Sequence, residues 1–194
     1  MATITFHDRE GQPLRAPLSG SAADAALWQL GVCSGRWALR SQSVSSTPQL
    51  TYARELHALS QRFHSVMTDR VRQRTGAHRA DPRDHHGVAW PEQRHQHVHA
   101  DSEVRVLLQG SARYLLRAST AGGWVSVVCE AGDWLALPPG LPHSFEASAC
   151  TGVELLRLFA KPRGWVSERT ASQAPAALLR WEEAGSAPAL AWAA

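Results

Sequence analysis

Cysteine is scarce in this chain. Cys33, Cys129 and Cys150 are the three present, far apart and with no Cys-x-x-Cys spacing. So sparse and odd a set argues against a disulfide framework and for a reducing compartment. No apolar run is long enough to span a membrane. The opening "MATITFHDREGQPLR" lacks the basic start and apolar stretch of a signal peptide, so a soluble, cytoplasmic protein is the expectation. Concentrated charge is missing too. The net charge is +3 and the pI about 9.1, yet the basic residues are mostly scattered arginines, with Arg70, Arg72 and Arg74 the one tight group. A nucleic-acid binder is expected to concentrate its basic residues in a stripe. These three therefore read as a solvated helix face, and neither nucleic acid nor membrane is an expected partner. A hydrophobic fraction of 44% and a charged fraction of 19% are ordinary for a globular chain able to bury one sizeable core.

The first half reads as an elaboration. "ATITFH" alternates as a strand, "SAADAALWQLGV" reads as a short helix closed by Gly31, and "RWALRSQ" as a short strand. From about Tyr52 to Gln73, Leu56, Leu59, Phe63, Val66, Met67 and Val71 recur at three- and four-residue steps, which predicts one amphipathic helix. Residues 75–94, rich in His and Arg, read as loop. After residue 94 short strand-like runs dominate. "HVHADSEVRVLLQGSARYLLRA" predicts two strands with a hairpin at "QGS". "WVSVVCEAGDWLALPPG" predicts a strand, a turn at "EAGD" and a strand stopped by two prolines, and "HSFEAS" and "VELLRLFA" supply two more. Close-spaced short strands with Gly-rich turns predict an antiparallel sandwich or barrel. The expected fold class is mainly β with flanking helices. One domain is expected over 1–170, with an N-terminal elaboration (1–93) and a barrel core (94–168). An Ala- and Pro-rich tail follows at 171–194.

Six of the ten histidines lie between His78 and His99, and His95, His97 and His99 alternate in "RHQHVHADSEVRVLLQG". Alternate residues of a strand share a face. If the strand runs through, His97, His99, Glu103 and Arg105 lie on one side, and Val98, Ala100, Val104, Val106 and Leu108 on the other. Parity does not separate His95 from the pair. In a barrel the polar face converges on the interior, where unpaired charge is costly and a metal would neutralise it. Some 30 residues on, "GDWLALPPGLPH" fixes a turn with Pro138 and Gly140 and presents His143. Three imidazoles and a carboxylate make four ligands for an octahedral ion with two open positions. Such donors suit iron, nickel or manganese.

These stretches resemble the two cupin motifs. His97, His99, Glu103 and Gly110 stand at the positions of the first, and Gly132, Pro138, Gly140 and His143 at those of the second. That spacing selects 97 and 99 and leaves His95 as the extra histidine. Two positions depart from the motifs, with Pro91 in place of the usual Gly and Ala147 in place of a frequent Asn. Finer detail is similar to the acireductone dioxygenase family of methionine salvage. "HVHADSEVR", "VSVVCEAGDWLALPPGLPHSF", "LLRLFAKPRGW" and "GVCSGRW" carry the likeness over about 2–168, strongest in 97–165.

The resemblance implies a cupin-type antiparallel β-barrel, or jelly roll, holding one Fe2+ or Ni2+ on His97, His99, Glu103 and His143. It implies oxidative carbon–carbon cleavage of 1,2-dihydroxy-3-keto-5-methylthiopentene (acireductone) by O2. The iron form would give 4-methylthio-2-oxobutanoate and formate, and the nickel form methylthiopropionate, formate and carbon monoxide. Arg105 would favour and stabilise the substrate dianion, unless it serves as an internal partner for Glu103. Arg157 is a second candidate substrate contact, with a structural ion pair as the alternative. Gln96 stands where relatives usually carry a Glu linked to metal incorporation, and Ser102 at a position linked to conformational relay. Trp124, Trp134, Trp165 and Phe145 read as barrel packing, His78, His85 and His86 as solvated loop, and Cys129 and Cys150 as buried, inert thiols. Another cupin dioxygenase with a different chelating substrate, and a non-catalytic metal- or ligand-binding cupin, are the competing readings. A monomer or weak homo-oligomer is expected.

Overall fold

Alternating apolar residues build most of the second half into strands. The computed structural model describes residues 1–40, 47–73, 93–118, 122–148, 150–162, 164, 166–179 and 181. Among these, ten strands form two antiparallel sheets that share one long strand, β5 (Glu103–Arg117). In the first, β1 (Thr3–His7) and β6 (Trp124–Glu130) lie on one side of β5. On the other side follow β8 (His143–Ala147), β4 (His97–His99) and β10 (Ser167–Arg169). The second sheet places β2 (Cys33–Arg36) and β7 (Asp133–Leu137) on one side of β5, and β9 (Val153–Phe159) and β3 (Met67–Gln73) on the other. This is the mainly-β, jelly-roll architecture expected.

To serve both sheets β5 must bend, and the bend sets which residues face inward. Residues 103–106 pair with β7 and 111–117 with β6, and the register against β9 shifts between Leu107 and Gln109. A bulge inserts one residue and reverses the alternation of faces. Leu107 before it and Ala112, Tyr114 and Leu116 after it therefore share the interior core, while Val104 and Val106 face outward. The predicted hairpin at "QGS" is not formed. Gly110 takes φ +77°, and a Cβ there would collide with the Gly152 carbonyl oxygen. The chain bends closely over its neighbour and continues as one strand. The interruption falls earlier, at residues 100–102, between β4 and β5.

Helices pad the outside. α1 (Gly20–Gln29) adds Ala23 and Leu27 to the interior core. α2 (Pro48–Thr51) leads into α3 (Ala53–Phe63), whose Leu56 and Leu59 pack with Tyr52, Trp37 and Trp134 over Val104, Val106, Leu156 and Leu158. The periodicity across 52–73 therefore overstates the helix. It stops at His64, which is left-handed (φ 52°), and the chain re-emerges as β3, paired with β9 over all seven residues. Tertiary pairing overrides a pattern that suits both structures: Val71 is buried, while Val66 is 70% exposed. Arg70 and Arg72 are correspondingly not a solvated helix face, since both grip the buried Glu154 at 2.8 Å.

The strand expected at 36–42 lies earlier, at β2. Trp37 leaves it to stack on Tyr52, with ring centroids 5.4 Å apart. Cys129 is buried, its thiol pKa pushed up by burial. Cys150 is exposed, contrary to expectation, because it sits in the turn after β8. Ala174 and Leu178, the latter in α4 (Ala176–Leu179), cover Leu115 and Trp124. No helix among the described residues is long and apolar enough to cross a membrane. Arg74, His78, His85, His86, Pro91 and Trp165 lie outside the described residues, as does nearly all of the 75–94 loop.

Gly110→Ala is expected to cost roughly 3 kcal/mol or more of unfolding free energy, from clash and backbone strain together. Gly140→Ala is expected to cost about 1–2 kcal/mol for its left-handed backbone alone, since nothing crowds a Cβ there. Urea denaturation measures both. Equal losses would contradict a steric role for the Gly110 bend.

Candidate metal centre

Three histidines meet in the barrel from two neighbouring strands. His97 and His143 are register partners across β4 and β8, so their side chains share a face. His99 lies two residues further along β4. Their ring centroids are 4.4 Å (His97–His143), 5.1 Å (His97–His99) and 5.4 Å (His99–His143) apart. One ring nitrogen from each lies within 4.8 Å of the other two, and all three residues are buried. The proline–glycine turn before β8 is tied to β4 by the Gly140 N–H, which donates to the His99 carbonyl at 2.9 Å. Both arms of the cluster are thus fixed to each other.

Hydrogen bonding decides the tautomers. His97 Nδ1 donates to the His95 carbonyl (2.8 Å), His143 Nδ1 to the Leu141 carbonyl (2.9 Å) and His99 Nδ1 to the Val166 carbonyl (3.0 Å). A carbonyl only accepts, so each Nδ1 carries a proton and the neutral form of each ring keeps its lone pair on Nε2. All three Nε2 atoms are buried with no hydrogen-bond partner among the described residues. Burial, reinforced by His143 beside it, depresses the His97 pKa from 6.5 to about 3. Burial likewise lowers that of His99, against the opposing pull of Glu103. Three buried Nε2 atoms therefore face one another without partners, a costly arrangement that a metal ion would relieve.

Glu103 joins from β5. Its Oε2 lies 3.6 Å from His143 Nε2 and its Oε1 3.9 Å from His99 Nε2, and neither oxygen has a hydrogen bond among the described residues. Arg105 Nη2 stands 2.8 Å from Oε1, both residues being 1% exposed. Burial opposes the Glu103 charge, but the Arg105 guanidinium outweighs it and holds the carboxyl well below its usual range. Arg105 in turn sits over the Phe145 ring, with Cζ 4.3 Å from the centroid. The donor set is three nitrogens and one carboxylate, hard-to-borderline ligands with no thiolate.

The other candidates divide. Arg157, across from Arg105 in the β5–β9 register, forms a fork on Asp69 (Nε–Oδ1 2.9 Å, Nη2–Oδ2 2.5 Å), so the structural ion pair is what the fold contains. Asp69 escaped the sequence reading because it was placed on a helix. Gln96 is buried on the opposite face from the cluster, its Nε2 donating to the Leu115 carbonyl (2.9 Å) and Ser144 Oγ (3.3 Å). Ser102 stands at the break between β4 and β5, half-buried. His95 is exposed and contributes its carbonyl, not its ring. Phe145 and Trp134 are buried packing residues, and Trp124 packs beneath the C-terminal segment. The Val166 carbonyl was missed, because a backbone acceptor leaves no signature in side-chain pattern.

A mainly-β, jelly-roll barrel whose interior gathers three imidazoles and one carboxylate defines a cupin-type protein with a candidate metal site. Residues 90–167 match the model of the ARD/ARD' family. The chain is 36% identical over 80 residues to acireductone dioxygenase of Saccharomyces cerevisiae, which covers 41% of this chain and 45% of that protein. It is 28% identical over 174 residues to acireductone dioxygenase of Parvibaculum lavamentivorans, covering 87% and 85%. With several relatives the aligned stretch thus spans less than half of their length. The fold superimposes on "Acireductone dioxygenase from Bacillus anthracis with cadmium ion in active center" with a TM-score of 0.70, at 20% identity, over 87% of this chain and 98% of that one.

Two outcomes are expected. His99→Ala should weaken Ni2+ binding by about 100-fold or more, while His95→Ala leaves it within a few-fold, as measured by calorimetric titration. The reverse order would shift the ligand register by two. The metal-free protein should also lose stability on acidification. Unfolded histidines take up protons near 6.5, and buried His97 does so only near 3. Unfolding free energy should therefore fall between those values by up to about 1.4 kcal/mol per pH unit on account of His97, with His99 adding to the loss in the same direction. Urea denaturation at successive pH would show it, and a flat profile would mean the imidazoles are solvated.

Proposed function

We propose that this chain is an acireductone dioxygenase acting on 1,2-dihydroxy-3-keto-5-methylthiopentene and O2 in methionine salvage. It would carry one Fe2+ or Ni2+ on His97, His99, Glu103 and His143. The observation that carries the reading is the set of three buried, partnerless Nε2 atoms beside a Glu103–Arg105 ion pair, in a chain whose barrel matches that family. Charge supports it. Imidazoles that ligate a metal are neutral and Glu103 and Arg105 cancel, so a divalent ion would bring two uncompensated positive charges into a buried site. An enediolate dianion cancels both.

When bound, the metal supplies a template that gathers the substrate's two oxygens and polarises them as a Lewis acid. The protein's own part is to hold and exclude. Carbonyls 95, 141 and 166 keep each imidazole in its Nδ1–H form, which leaves Nε2 as the nitrogen facing the site. Arg105, fixed between Glu103 and the Phe145 face, presents a permanent cation that favours loss of the substrate's protons and steadies the resulting anion. The buried Phe145 and Phe159 keep water from this charge, Phe159 packing edge-on to His99 at 6.1 Å. Arg157, held by Asp69 as an ion pair, packs beside Arg105 in the β5–β9 register. Iron would give formate and 4-methylthio-2-oxobutanoate, and nickel methylthiopropionate, formate and carbon monoxide. A cytoplasmic enzyme, monomeric or weakly self-associating, with its catalytic domain in 1–170 and a tail beyond, completes the proposal.

Protein loaded with Ni2+ or Fe2+ should consume acireductone and O2 well above the uncatalysed rate, with carbon monoxide released by the nickel form alone. Arg105→Met should lower kcat/KM by about 100-fold or more with metal content retained. Oxygen-electrode traces at background level for both metals would refute the assignment.

A further inference from the structure

The Tyr114 hydroxyl lies fully buried in the barrel interior with no hydrogen-bond partner among the described residues. The β5 bulge turns Tyr114 inward, and its ring packs edge-on to Phe145, its register partner on β8, at 5.0 Å. Arg105 sits over the same two rings, its Cζ 4.3 Å from the Phe145 centroid and 5.9 Å from that of Tyr114. None of the three guanidinium nitrogens makes a well-directed hydrogen bond among the described residues. The guanidinium and the hydroxyl thus lie side by side in the barrel, the guanidinium ion-paired with Glu103 and neither group in a well-directed hydrogen bond among the described residues. Phenylalanine would fill the same space without the cost of a dry hydroxyl.

Glu103, 2.8 Å from Arg105, faces two demands. It is the carboxylate beside the three imidazoles, and it is the anion beside the guanidinium. A cation among the histidines would draw it away from Arg105. Asp69, the other nearby carboxylate, is already engaged through both oxygens by Arg157.

We propose that Tyr114 is a positioning residue whose hydroxyl oxygen accepts an Arg105 N–H once Glu103 turns to a bound cation, keeping the guanidinium aimed at an anionic substrate. The catalytic half of this inference rests on the dioxygenase reading; the pairing does not.

The chain has two tyrosines, Tyr52 and Tyr114, so full-length protein labelled with 13C at tyrosine Cζ gives two signals, assigned with Tyr114→Phe. Loading with diamagnetic Zn2+ should move the Tyr114 signal and leave that of Tyr52 in place, and the movement should vanish in Arg105→Met. In the Ni2+ enzyme, Tyr114→Phe should lower kcat about tenfold with KM nearly unchanged, while Ni2+ affinity holds and the melting temperature stays equal or rises. A Tyr114 signal indifferent to zinc, or one that moves equally in Arg105→Met, would overturn the pairing. Wild-type kcat in Tyr114→Phe, or a loss that follows falling metal affinity or melting temperature, would overturn the positioning role. If the wild-type protein fails to turn over acireductone at all, the dioxygenase reading falls, and the zinc response still decides the pairing.

Discussion

Three backbone carbonyls determine what the histidines can do. By accepting the Nδ1 protons of His97, His143 and His99, the carbonyls of His95, Leu141 and Val166 turn all three Nε2 atoms toward one another in a buried interior. Everything chemical about the site follows from this. Neutral imidazoles with buried lone pairs are poor neighbours without a metal and good ligands with one. The carboxylate beside them is kept ionised by Arg105 even though it is buried.

Those carbonyls come from separate parts of the chain, so the site depends on the fold at long range. The His95 carbonyl precedes β4, that of Leu141 belongs to the proline–glycine turn, and that of Val166 precedes β10. Strand β4 is three residues long and meets β8 at a single register pair, His97 with His143, whereas β10 pairs with all three of its residues. Gln96 adds to the clamp, its carbonyl accepting from Thr170 N–H at 3.0 Å. The segment after residue 166 therefore supports the ligand strand as well as covering Trp124 and Leu115.

The sequence disclosed the clustered side chains better than the architecture around them. His97, His99, Glu103 and His143 were legible because alternation and motif spacing act on side chains, and side chains are what the alphabet records. The bend at Gly110 was misread as a hairpin, since a glycine between two strand-like runs suits either outcome until the close approach of Gly152 is known. The stretch 64–73 was misread because Val66, Met67 and Val71 satisfy helical steps while β3 pairs residue by residue with β9. That error hid Asp69, and with it the ion pair that occupies Arg157. The parity argument reached the right face although β4 and β5 are separate strands, because the break at 100–102 returns Glu103 to the side of His99.

The central claim is that these three imidazoles and one carboxylate are the inner ligands of a single metal ion. X-ray absorption on the Ni2+-loaded full chain tests it most directly, because imidazole rings give a distinctive multiple-scattering signal that can be counted. The account predicts about three imidazoles with the remaining positions filled by oxygen, and no sulfur. A sulfur neighbour, or a shell with one imidazole or none, would contradict it.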